Sequence, residues 1–97
     1  MPGTELFGEE ERKEVNDVLN TGILFRYNHD ALRNNIWKSR DFETEVKKIT
    51  GAKYAHAMSS GSTAIITALA AAGIGAGDEV IVPPFTFIAT IEAVLFI

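Results

Sequence analysis

Six consecutive residues, Ser59-Ser60-Gly61-Ser62-Thr63-Ala64, have the side chains best suited to hold a phosphate group. They lie where a predicted strand gives way to a predicted helix. The start of a helix leaves backbone N–H groups without partners and has partial positive charge, and both attract an anion. Gly61 would let the phosphate approach closely, and the hydroxyls of Ser62 and Thr63 would add donors. Since serine and threonine are also favoured helix caps, a purely structural capping role is the alternative, and it is the commoner one for such a segment.

A second segment, Val82-Pro83-Pro84-Phe85-Thr86-Phe87, follows the other predicted strand. Open α/β sheets place their ligands at the carboxyl ends of strands, so an aromatic ring here could stack on a flat heterocycle. The alternative is that Phe85 and Phe87 are core residues. Neither a P-loop nor a dinucleotide-binding glycine motif is present in the sequence.

The sequence offers little to a metal ion. It contains no cysteine, and its two histidines, His29 and His56, have no second ligand at metal-binding spacing. No Ser/His/Asp arrangement for nucleophilic catalysis is visible either. We therefore expect no metal site in this chain.

The elements that would position these segments alternate between strand and helix. Helical patterns cover residues 8–20, 39–50, 61–73 and 86–97, strand patterns cover residues 52–59 and 79–82, and residues 23–38 form a loop. The strand–helix–strand order predicts an α/β fold with a parallel-type sheet. Two strands cannot bury both faces of such a sheet, so we expect an incomplete domain. The predicted division is an N-terminal helical part with the loop, residues 1–50, and the truncated start of the α/β domain, residues 51–97.

Composition limits the class of partner. Hydrophobic residues make up 46% of the 97 residues and charged residues 23%, which is typical of a globular protein. A net charge of −4 argues against a general nucleic-acid binder, because phosphate backbones are held by clustered lysine and arginine. The most apolar stretch, residues 85–97, is too short to span a membrane and contains Glu92. We expect a cytoplasmic protein that binds neither nucleic acid nor membrane.

Five blocks of the sequence resemble, in order and spacing, the N-terminal part of the DegT/DnrJ/StrS family of sugar aminotransferases. The blocks are residues 2–11, 51–55, 59–64, 73–83 and 85–90. The resemblance implies the large domain of fold type I pyridoxal-phosphate (PLP) enzymes and a homodimer with active sites between the subunits. It also implies transfer of an amino group from an amino acid, expected to be glutamate, to a keto- or aldehydo-sugar. Such reactions belong to the biosynthesis of cell-surface polysaccharide, including lipopolysaccharide.

The same resemblance assigns roles to single residues. Gly61, Ser62 and Thr63 would bind the phosphate of PLP, and Phe87 would stack on its pyridine ring. Ser62 departs from the family, where threonine is more frequent, but it keeps a hydroxyl and an N–H donor.

The family's Schiff-base lysine and the acidic partner of the pyridine nitrogen both lie beyond residue 97, so the resemblance implies an N-terminal fragment that is inert alone. Two alternatives stay open. One is a PLP-dependent sugar dehydratase relative, in which histidine replaces that lysine. The other is a non-catalytic phosphate-binding or assembly module.

The loop resembles one branch of the family more closely, the 8-amino-3,8-dideoxy-octulosonate aminotransferases. The resemblance lies in residues 22–28 and 33–40 and implies substrate contacts from Arg26, Tyr27 and Asn28. Four basic residues of this region would suit an acidic sugar by charge, namely Arg26, Arg33, Lys38 and Arg40. The structural alternative is a solvated loop.

Overall fold

The computed structural model describes residues 3–97, so Pro2, with which the family resemblance begins, lies outside the described residues. Within this range the chain forms α1 (Glu9–Thr21), α2 (Lys38–Thr50), α3 (Gly61–Ala71) and α4 (Ile88–Phe96), with short 3-10 turns at Thr4–Leu6 and Asp30–Leu32. The chain divides into two compact units, one up to Ala55 and one formed by His56–Ile97. None of the helices in the described range has the length and apolar character needed to cross a membrane.

Local signals at both ends determine α1. The backbone N–H of Gly8 donates to the carboxylate of Glu11 at 2.7 Å, which satisfies one donor at the helix start. This bond lowers the pKa of Glu11. Gly22 ends the helix at φ 69°, a left-handed conformation that glycine adopts without steric cost. The helix predicted from the sequence is confirmed to within one residue at each end.

Ion pairs connect α1 to α2 inside the first unit. The ammonium group of Lys38, the first residue of α2, lies 2.9 Å from a carboxylate oxygen of Asp17 and also pairs with Glu14. Lys13 binds the same carboxylate of Asp17 at 2.8 Å. The pKa of Asp17 is lowered by Lys13 and then Lys38, and the pKa of Lys38 is raised by Glu14 and then Asp17. The predicted helix α2 is confirmed and ends at Gly51, whose φ is 71°.

Two buried alanines lie in the helical part of the second unit. The two helices pack against each other, and α4 places Ala89 and Ala93 in the buried interior, with Ala93 only 1% exposed. Small side chains such as these allow two helix backbones to approach closely. Both helices were predicted, although α4 begins at Ile88, two residues later than expected.

The two predicted strands are not formed, and the predicted parallel-type sheet is therefore absent from residues 3–97. A strand exists only when its backbone N–H and C=O groups pair with a neighbour, and residues 52–59 and 79–82 have no such ladder. Ile81, in the middle of the second segment, is fully exposed although a parallel sheet would bury it. The turn before that segment does form, because Asp78 accepts a hydrogen bond from the N–H of Gly75 at 2.9 Å.

Candidate functional site

The start of α3 is built by a serine cap. Ser60 precedes the helix in an extended conformation, and its Oγ accepts a hydrogen bond from the backbone N–H of Thr63 at 3.1 Å. The hydroxyls of Ser60 and Thr63 also lie 2.8 Å apart and share a hydrogen bond. The capping role considered from the sequence is thus present, and Ser60 fills it.

Several donors remain after the cap is made. The backbone N–H groups of Gly61 and Ser62 lie in the first turn, where no helical carbonyl can accept them. Of the two hydroxyl hydrogens on Ser60 and Thr63, their mutual bond uses one, and the other can be donated to a ligand. A Cβ built on Gly61 meets nothing within 4 Å, so this backbone is open to close approach. The residues present therefore fit a phosphate group in both charge and space.

Phe87 stands at the start of the neighbouring helix, as the cap residue of α4. The carbonyl of Phe87 accepts a hydrogen bond from the N–H of Thr90 at 3.0 Å, while the residue as a whole is 77% exposed. Phe85 is 97% exposed. In this unit neither ring is a core residue, so both are available to a ligand.

The structure brings the helices of the predicted cofactor residues together but shows no direct link between the residues. Gly61, Ser62 and Thr63 share the first turn of α3, which packs on α4. Across residues 3–97, no hydrogen bond or ring contact joins Phe87 to that turn. The joint role of the four residues in holding a cofactor stays a prediction.

In the first unit, the predicted substrate residues differ in their surroundings. The guanidinium group of Arg26 forms an ion pair with Glu43 of α2 and lies 5.6 Å from the centre of the Tyr27 ring. Glu43 raises the pKa of Arg26. Tyr27 and Asn28 have exposed side chains, and Asn28 has a φ of 63°. The charge of Arg26 is thus balanced inside the chain, while its two neighbours face solvent.

Arg33 organises the loop in a way that the sequence did not reveal. This residue is only 5% exposed. Its Nε donates to the carbonyl of Asn28 at 2.7 Å, and its Nη2 donates to the carbonyls of Tyr27 at 3.2 Å and Phe25. The only signal in the sequence was indirect, because asparagine tolerates a left-handed backbone and asparagines lie on both sides of Arg33 along the chain. Four residues of this region have a positive φ, namely Asn28, His29, Asn34 and Asn35.

Metal ligands do not gather at either place. Within residues 3–97, no group of three or more His, Asp or Glu side chains lies together in a way that could hold an ion.

Comparison with known proteins gives a consistent result. The model of the DegT/DnrJ/EryC1/StrS aminotransferase family matches residues 6–97. Over 60 residues, 62% of the chain, the sequence is 50% identical to UDP-N-acetyl-3-dehydro-alpha-D-glucosamine 3-aminotransferase of Acidithiobacillus ferrooxidans, of which it covers 16%. It is 39% identical over 93% of its length to spore coat polysaccharide biosynthesis protein SpsC of Bacillus subtilis, and 35% identical over 88% to GDP-perosamine synthase of Vibrio cholerae. The chain covers 21% of each of these two relatives.

Proposed function

Because the chain belongs to the DegT/DnrJ/EryC1/StrS aminotransferase family, we propose that it forms the N-terminal part of an enzyme that uses PLP to move an amino group from glutamate to a keto- or aldehydo-sugar. The family is one of fold type I PLP-dependent aminotransferases. The observation that carries the proposal is the open set of hydrogen-bond donors at the start of α3, beside the serine cap.

The names of the relatives support a sugar acceptor. Two of them are a glucosamine aminotransferase and a perosamine synthase, both named for a nucleotide-linked sugar, and a third is a polysaccharide biosynthesis protein. For this protein we infer a role in cell-surface sugar biosynthesis, in the cytoplasm and as a homodimer.

In this proposal the chain's task is to bind and orient the cofactor. The N–H groups of Gly61 and Ser62, with the hydroxyls of Ser62 and Thr63, donate to the phosphate, and the ring of Phe87 covers the pyridine. When bound, PLP supplies an electron sink at the carbon that gains or loses the amino group. An anion at this helix start needs no lysine or arginine, because the helix dipole and the unpaired N–H groups favour it.

We also propose that the lysine to which PLP attaches lies in another part of the enzyme, so that these 97 residues are inert alone. Attack on a carbonyl carbon needs a neutral amine. Lys38 is bound by two carboxylates that raise its pKa, and Lys13 and Lys48 are each within 2.8 Å of a carboxylate. For the other two lysines of the chain, Lys47 and Lys53, the titration of the chain with PLP is the test.

A cofactor titration tests the phosphate site. We expect the full-length protein to bind PLP more tightly than pyridoxal, which lacks the phosphate. Ser62→Ala together with Gly61→Val should reduce this difference in affinity about tenfold or more. Ser59→Ala, the adjacent serine outside the first turn, is the matched control and should leave the difference intact. If the double variant weakens PLP and pyridoxal equally, α3 does not bind the phosphate.

A second titration tests inertness. The 97-residue chain mixed with PLP should not develop a stable visible absorbance band. A band that one lysine substitution removes would show that the chain has its own attachment site, and the inertness proposal would be wrong.

For the acceptor we propose an acidic octulosonate sugar, aminated at its terminal carbon, with contacts from Arg26, Tyr27 and Asn28. The exposure of Tyr27 and Asn28 supports this proposal, whereas Arg26 is held by Glu43 and would contribute shape more than net charge. The test is a comparison of kcat/KM for an acidic eight-carbon aldehydo-sugar and a nucleotide-linked keto-sugar. Preference for the nucleotide-linked substrate would contradict the octulosonate assignment and leave the aminotransferase proposal intact.

A further inference from the structure

A small pocket in the first unit collects positive charge. It has a volume of about 130 Å³ and lies between the loop and the first turn of α2. Four of its lining residues are basic, namely Arg26, Arg33, Lys38 and Arg40, and no acidic residue lines it. The pocket therefore has a local excess of positive charge in a chain whose net charge is −4.

Two of the four cations are already neutralised. Arg26 pairs with Glu43, and Lys38 pairs with Glu14 and Asp17. By contrast, Arg33 and Arg40 have no carboxylate within 4.0 Å in the described part of the chain. The uncompensated charge of the pocket therefore belongs to these two residues.

Trp37 holds both guanidinium groups at the pocket wall. The central carbon of the Arg33 guanidinium lies 4.2 Å from the centre of the indole ring, and that of Arg40 lies 3.7 Å away. Three backbone carbonyls accept hydrogen bonds from Arg33 and fix it further. They satisfy its donors but do not balance its positive charge. Arg40 has an exposed side chain, and within residues 3–97 its guanidinium group donates no hydrogen bond to another residue, so its donors can reach a ligand.

We propose that this pocket binds an oxyanion, the carboxylate or phosphate group of a small molecule, with Arg40 as the contacting residue and Arg33 as the fixed charge beside it. Both groups present two oxygens that match the planar fork of a guanidinium. The pocket volume equals that of about four water molecules in the liquid, which is enough for one carboxylate or phosphate group. The proposal does not depend on the aminotransferase function, because binding here requires neither PLP nor catalysis.

The intrinsic fluorescence of Trp37, the single tryptophan of the 97-residue chain, reports on the pocket directly. The chain is titrated with sodium acetate and with inorganic phosphate at constant ionic strength maintained with sodium chloride, and with neutral acetamide as a control. We expect a saturable change with at least one of the two anions. A response to acetate alone identifies a carboxylate site, a response to phosphate alone identifies a phosphate site, and a response to both identifies the shared chemistry.

Three variants link the signal to the residue. Arg40→Gln should raise the dissociation constant about tenfold, Arg40→Lys should raise it less because the charge remains, and Arg12→Gln, an exposed arginine on α1, should leave it unchanged. Chemical shifts of the Trp37 indole N–H give an independent reading where a substitution alters fluorescence by itself. The proposal is overturned if neither anion saturates, or if Arg40→Gln and Arg12→Gln have the same dissociation constant.

Discussion

Arg26 and Glu43 form an ion pair between the loop and α2 across a separation of 17 positions. Their side chains are only 24% and 11% exposed, so solvent screens the pair weakly. The contact anchors the loop to the helix and balances the charge of an arginine that we expected, from the sequence, to meet a ligand. Anchoring of the loop predicts that substitutions change stability, whereas ligand binding predicts that they change affinity.

Replacing Glu43 with glutamine should destabilise the first unit, because Arg26 loses the carboxylate that compensates it in a poorly hydrated position. Urea unfolding followed by circular dichroism measures the change. Glu45→Gln is the matched control, since Glu45 is 61% exposed and pairs with Lys48 on the helix surface. It should change the free energy of unfolding by no more than about 0.5 kcal/mol. Equal effects of the two substitutions would show that the buried position of Glu43 has no special weight.

Replacing Arg33 with alanine should cost about 1–3 kcal/mol of the free energy of unfolding, since the carbonyls of Phe25, Tyr27 and Asn28 lose a buried donor. It should also alter the fluorescence of Trp37, against which the guanidinium lies. Arg33→Lys keeps the charge but cannot reproduce the fork of donors, so it should recover only part of the loss. Full recovery with lysine would mean that charge alone organises the loop.

Replacing Ala93 with leucine should destabilise the second unit by about 1–3 kcal/mol, because the added atoms overpack the contact between α3 and α4. Chemical denaturation gives the difference. Ala70→Leu places the same side chain at an exposed position of α3 and should stay within about 0.5 kcal/mol of the parent. If Ala93→Leu is neutral, that helix pair is not closely packed in solution.

Acid should weaken α1. The pKa of Glu11 is lowered by the Gly8 N–H, and that of Asp17 by Lys13 and then Lys38. A carboxylate whose folded pKa is depressed contributes stability above its unfolded pKa, near 4.5 for glutamate and 3.8 for aspartate, and that stability is lost as the pH falls through the lowered folded value.

Circular dichroism at helical wavelengths between about pH 6 and pH 2 follows this loss. Glu11→Gln should flatten the acid transition, because the amide does not titrate. Glu10→Gln is the control, since the Gly8 N–H donates to Glu11 instead. An unchanged transition in the Glu11 variant would remove this residue as its cause.

The cap and the proposed phosphate site should separate by substitution. Ser60→Ala removes the acceptor of the Thr63 N–H and should cost about 1 kcal/mol of the free energy of unfolding. Ser62→Ala removes no hydrogen bond from the cap and should leave stability within about 0.5 kcal/mol while weakening PLP binding. A loss of stability in both variants, with no change in PLP binding, would leave α3 with capping alone.

Comparison of the predicted with the observed elements shows which inferences depended on local information. The four helices were predictable because their periodicity and their stop signals, such as Gly22 and Gly51, act within one turn of the chain. The predicted strands over residues 52–59 and 79–82 are not formed within residues 3–97, since β pairing needs a partner strand and a local sequence pattern cannot specify one. The open donors at Gly61 and Ser62 were predictable for the same reason as the helices.

The sequence by itself determined the family, the helices and the start of α3, because motif order, helix periodicity and capping are properties of neighbouring residues. Only the tertiary structure decided which charges are available for a ligand. Glu43 lies 17 positions from Arg26, and Glu14 and Asp17 lie 24 and 21 positions from Lys38. Neutralisation depends on distance in space, so Arg33 and Arg40 emerge as the pocket's two cations without a carboxylate partner in residues 3–97 only once the chain has folded.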